Sequence, residues 1–105
     1  MTYSSAVAYL YRLQTHGIKL GLETMTALTA RLGMPQNKYR TLHIAGTNGK
    51  GSTAAMAAAM LQAAGYRVGL YTSPHLVDFR ERIRVNGEMV AESQVAQLTE
   101  QLQAL

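Results

Sequence analysis

Apolar residues recur at helical spacing near the start of the chain, where Val7, Leu10 and Tyr11 share a face. Ser4 or Ser5 can cap this first helix, and the pattern carries it to about Gln14. The stretch THGIKLG holds two glycines and reads as a loop. A second helix, from about Glu23 to Leu32, puts Met25, Leu28 and Leu32 on one stripe. Gly33 and Pro35 then supply a glycine stop and a breaker. A strand is predicted at Thr41–Ala45, followed by a glycine-rich turn and a third helix from about Lys50 to Ala64, ending at Gly65.

That third helix is apolar nearly all round, from Ala54 through Met56 and Met60 to Leu61. Such a helix is normally buried, and its alanines let neighbouring backbones approach closely. A second strand, Arg67–Tyr71, completes a strand–turn–helix–strand unit, whose right-handed crossover would make the two strands parallel. The run RIRVNGEMV predicts a hairpin, because Asn86-Gly87 suits a two-residue type I′ turn. A last helix begins near Ser93 with Val95, Leu98, Leu102 and Leu105 on its face. The expected fold class is α/β, with parallel strands and flanking helices. Two parallel strands and a hairpin are few for a covered sheet, and the last helix carries no stop signal. The pattern therefore predicts part of a larger domain.

Composition narrows the classes. A chain of 105 residues suffices for one small domain, and 48% hydrophobic with 15% charged residues suits a folded protein. No apolar run approaches the roughly 20 residues of a membrane span. The N-terminus lacks the basic region and apolar block of a secretory signal. The absence of cysteine removes disulfides and thiolate metal sites, which fits a reducing cytoplasm. A net charge of +4 raises a nucleic-acid-binding module as a rival reading. The lysines and arginines are scattered, however, and no aromatic stacking platform accompanies them.

The chemistry concentrates in Gly46-Thr47-Asn48-Gly49-Lys50-Gly51-Ser52-Thr53, between the predicted strand and helix. Glycines let backbone N–H groups converge, and a helix N-terminus adds unpaired donors with partial positive charge. Lys50 adds a full charge that can reach outer phosphates. The strict pattern G-x-x-x-x-G-K-[ST] is not met, since Ile44 stands five residues before Gly49 and Gly51 follows Lys50. The metal-binding hydroxyl must then come from Ser52 or another residue. The competing reading is a plain glycine turn with an exposed lysine. Ser73 lies at the carboxyl end of the second predicted strand, where α/β sheets bind ligands, and Pro74 disfavours a helical conformation there. Arg80, Arg82 and Arg84 alternate, so in a strand they would share one basic face. His16 and His43 read as structural.

The segment HIAGTNGKGST followed by GYRVGLYTSPHLVDFRERIRVNG, with GIKLGLE ahead of both, resembles the N-terminal part of folylpolyglutamate synthase and dihydrofolate synthase. These belong to the Mur ligase superfamily of ATP-dependent amide-forming enzymes. The resemblance implies that residues 1–105 are the N-terminal part of a P-loop ATP-binding domain, with a C-terminal glutamate-binding domain outside them. It implies nucleotide contacts at Gly46, Thr47, Asn48, Gly49, Lys50, Gly51 and Ser52, with Lys50 catalytic. Ser73 becomes a magnesium ligand, and His75 belongs to the same motif. Thr72 with Arg12, Leu13, Gln14 and Thr15 falls where the family contacts the pteridine-bearing substrate.

The implied activity joins L-glutamate to a reduced folate or dihydropteroate through an acyl phosphate, using ATP and Mg2+. This chain alone would be inactive. The implied setting is a cytoplasmic enzyme that is monomeric when intact and engages neither nucleic acid nor membrane. The nearer rival is a superfamily ligase that adds amino acids to a cell-wall precursor.

Overall fold

The computed structural model describes residues 1–15 and 22–105. His16 and most of the THGIKLG and GIKLGLE segments therefore lie outside the described residues. The chain forms two compact units: Met1–Leu42 with Ala96–Leu105, and His43–Val95.

In the first unit, helix α1 spans Tyr3–Thr15. Its cap is Thr2, not Ser4 or Ser5: Thr2 Oγ1 accepts the Ser5 N–H at 3.1 Å, and Ser5 Oγ accepts the Thr2 N–H at 2.9 Å. This reciprocal pairing satisfies two end donors at once, which a single serine one turn further in cannot do. Helix α2 spans Glu23–Arg31 and stops as predicted. Gly33 takes φ +80°, and the Gly33 and Met34 N–H groups donate to the Ala30 and Thr29 carbonyls at 3.2 and 2.8 Å. Only glycine adopts that turn cheaply. Pro35–Asn37 then forms one 3-10 turn.

The second unit carries helix α3, Lys50–Ala63, and strands β1 (Gly69–Tyr71), β2 (Ile83–Val85) and β3 (Glu88–Met89). Gly65, at φ +95°, ends α3 by the same device as Gly33. The strands form one sheet in the order β1-β2-β3, and both pairings are antiparallel. This corrects the expected parallel pair. Residues 41–45 form no ladder among the described residues, and β1 pairs instead with β2, pairing Gly69 with Val85 and Tyr71 with Ile83. Strand pairing is non-local, so an apolar run announces a strand without choosing its partner. The hairpin is as predicted, with Asn86 and Gly87 at φ +51° and +84°.

Helix α3 departs from its expected burial. None of its residues is buried, and Met56 and Met60 are 60% and 69% exposed. Three short strands cover only one side. There Ala55, Ala58 and Ala59 face Val68, Leu70 and Arg84 across a shallow cavity of about 360 Å³.

Helix α4 spans Glu92–Gln103. Its buried positions are Val95, Ala96 and Thr99, while Leu98, Leu102 and Leu105 of the predicted face stay exposed. No helix among the described residues is long and apolar enough to cross a membrane.

Candidate functional site

The glycine segment is an irregular turn that opens directly into α3. Gly49 is the residue that makes this possible, holding the left-handed conformation (φ +75°, ψ 4°) at the helix N-cap. No side chain caps the helix, and no acidic residue sits in its first turn. The first-turn N–H groups and their partial positive charge are therefore left to an incoming group. Lys50 begins the helix, and among the described residues no hydrogen bond or ion pair engages it. Gly51 and Ser52 follow, exposed, with open space around the position a Gly51 Cβ would take. A bare backbone, an unengaged ammonium and a helix N-terminus make an anion receptor.

A second segment stands at the carboxyl end of β1. Gln62 in the last turn of α3 donates to the Asn86 carbonyl at 3.2 Å, and Asn86 Oδ1 accepts the Val68 N–H at 2.8 Å. The start of β1 is thus tied to the end of α3. Helix α3 also lies against β1, whose carboxyl end leads to Thr72 and Ser73. Ser73 is exposed, and its bond to Pro74 is cis. Thr72 is half-buried and held in the ladder, its N–H donating to the Arg82 carbonyl at 3.0 Å.

The loop that follows is built from polar contacts. Glu81 Oε1 accepts the Leu76 N–H at 3.1 Å, and Oε2 accepts those of Val77 and Asp78 at 3.0 and 2.6 Å. The Asp78, Leu76 and Val77 donors, with help from His75, hold the Glu81 carboxyl below its ordinary value despite some desolvation. Asp78 Oδ1 caps the 3-10 turn Phe79–Arg82 through the Arg80 N–H at 3.0 Å. Its Oδ2 accepts from Arg80 Nε and Nη2 at 3.1 and 2.9 Å. Arg82 Nε donates to His75 Nδ1 at 2.8 Å, and its guanidinium lies 5.2 Å from the Phe79 ring centroid.

These contacts correct the shared basic face. Arg80 and Arg82 belong to a 3-10 turn engaged with Asp78 and His75, and only Arg84 lies in a strand. The sequence signal for Asp78 and Glu81 is D-F-R-E, a capping pattern that overrides alternation. Arg12 and Leu13 are exposed in the last turns of α1, in the first unit, whereas the glycine turn and Thr72–Ser73 belong to the second. Gln14 and Thr15 close the same helix. His43, expected to be structural, is exposed.

No protein-family model matches the chain. Individual proteins do. It is 46% identical over 100 residues to the dihydrofolate synthase/folylpolyglutamate synthase of Bacillus subtilis, covering 95% of this chain and 23% of that protein. Its fold matches the crystal structure of folylpolyglutamate synthase from Thermotoga maritima with a TM-score of 0.88 at 47% identity, covering 97% of this chain and 23% of that one. The Yersinia pestis bifunctional folylpolyglutamate synthase/dihydrofolate synthase complexed with AMPPNP and manganese matches at 36% identity and TM-score 0.85, over 99% of this chain and 25% of that one. A folylpolyglutamate synthase complex with AMPPCP and folate matches at 35% and 0.88, over 99% and 25%.

The glycine turn, the helix it opens and the sheet beside it thus fall within a stretch matched by folylpolyglutamate and dihydrofolate synthases. At 46–47% identity over nearly its whole length, the chain corresponds to one stretch of the folylpolyglutamate synthase/dihydrofolate synthases, and it spans about a quarter of the length of the relatives it matches.

Proposed function

We propose that this chain carries the phosphate-binding part of an ATP-dependent ligase that joins L-glutamate to the carboxylate of a reduced folate or dihydropteroate. The observation that carries the reading is the uncapped N-terminus of α3, with Gly49 left-handed and Lys50 unengaged among the described residues. Triphosphate oxygens would take the first-turn N–H groups, contacted by Gly46 to Ser52. Lys50 would offset charge on the transferring phosphoryl group. A carboxylate resists attack by an amine until its oxygen becomes a leaving group, and phosphoryl transfer supplies one as an acyl phosphate.

The residues present also fit a divalent cation. Among the described residues no group of three His, Asp or Glu could hold a metal alone, and Ser73 offers an exposed hydroxyl. One hydroxyl completed by phosphate oxygens and water suits magnesium, which when bound would screen phosphate charge. Thr72, and separately Arg12–Thr15, would be contacts of the pteridine-bearing substrate, and the rest of such an enzyme would complete a Mur-ligase-like ATP-binding fold and supply the glutamate-binding domain. Its setting would be the cytoplasm.

The test uses a full-length synthase that contains this chain. With oxygen-18 in the substrate carboxylate, one label should enter the released phosphate, and ADP should accumulate. Lys50→Ala should lower turnover by about a hundredfold or more. Unlabelled phosphate, or AMP with pyrophosphate, would overturn the acyl-phosphate reading.

A further inference from the structure

The loop between Thr72 and Arg82 holds its shape with almost no apolar burial. Leu76 and Val77 at its tip are 92% and 90% exposed, so neither can anchor it. Its ends meet where the Thr72 N–H donates to the Arg82 carbonyl, and Phe79 is only half-buried beneath Arg82. Besides the Arg82–His75 hydrogen bond, the loop is crossed by one carboxylate that accepts three successive backbone N–H groups, from Leu76, Val77 and Asp78.

We propose that Glu81 is a positioning residue, whose three-fold grip on the backbone fixes the loop that presents Ser73 and His75. Successive N–H groups that converge on one anion form a concave receptor, and here the anion is part of the chain. Charge-assisted bonds of this kind are about twice as strong as neutral ones, and removing the acceptor leaves three donors to water. Among the described residues of the loop, this carboxylate binds the most backbone donors. Its consequence for phosphate binding rests on the function proposed above.

Amide hydrogen exchange in the isotopically labelled 105-residue chain reads the grip directly, with the α3 amides as an internal reference. In Glu81→Gln, exchange at Leu76, Val77 and Asp78 should rise roughly tenfold or more while α3 is unchanged. In a Leu76→Ser, Val77→Ser double variant, which leaves the carboxylate in place, the Asp78 amide should keep its protection. Unchanged loop exchange in Glu81→Gln, loss of protection in α3 along with the loop, or loosening of Asp78 in the double variant would each overturn the proposal.

Manganese–ATP supplies the second readout, through paramagnetic broadening of the Ser73 amide. Glu81→Gln should need about tenfold more of it than the unaltered chain. Equal titrations would overturn the positioning role toward Ser73. Broadening in neither chain would overturn the phosphate-site reading, and the exchange data would still decide the grip.

Discussion

Gly49 and Gly51 stand two residues apart at the start of α3, and the structure assigns opposite signs to replacing them with alanine. An added Cβ meets nothing within 4 Å at either position, so sterics with neighbours do not distinguish them. Backbone conformation does. Gly49 sits at φ +75°, where an L-residue costs about 1–2 kcal/mol, partly offset by the about 0.4–1 kcal/mol that alanine gains by stiffening the unfolded chain. The net expectation for Gly49→Ala is a loss of about 1 kcal/mol. Gly51 lies inside the first turn of the helix, where alanine should gain about 0.5 kcal/mol.

Urea unfolding followed by far-UV circular dichroism compares the two variants. With a slope of about 1–2 kcal/mol/M, their midpoints should separate by about 1 M, on opposite sides of the parent chain. If both midpoints moved the same way, or Gly49→Ala proved neutral, the left-handed cap would be the wrong account of this turn.

Two further outcomes follow from exposure and charge. Met56 and Met60 leave an uncovered apolar face on α3, so the isolated chain should self-associate, and Met60→Lys should weaken that by roughly tenfold in sedimentation equilibrium; an unchanged association constant would refute it. The Glu81 carboxyl lies below its ordinary value in the folded loop, so its stabilisation is full above that ordinary value and is lost as pH falls through the lowered one. Besides the three backbone donors, His75 bears on it electrostatically, and the Leu76 amide shift should report the transition. A midpoint at the ordinary glutamate value would contradict the grip.

What could be read in the sequence was local. Gly33, Gly65 and Asn86-Gly87 each mark a turn that demands positive φ, and each turn is where the residues put it. The glycine segment likewise opens a helix with Lys50 at its first position. What could not be read was pairing. Thr41–Ala45 has the apolar character of a strand, yet nothing local names its neighbour, and β1 found β2 instead. The burial of α3 failed for a related reason, because an alanine helix states what it would pack against only when the covering elements are present. The arginines share no strand face, because the D-F-R-E cap winds Phe79–Arg82 into a 3-10 turn and local alternation does not reveal it.

The central claim is that the first turn of α3 binds the phosphates of a nucleotide, and the chain's own amides report it most directly. Titrating the isotopically labelled chain with magnesium–ATP should shift the Gly49, Lys50, Gly51 and Ser52 amides most, and Lys50→Ala should weaken the response by about tenfold or more. Shifts centred elsewhere, or a titration indifferent to Lys50, would contradict it.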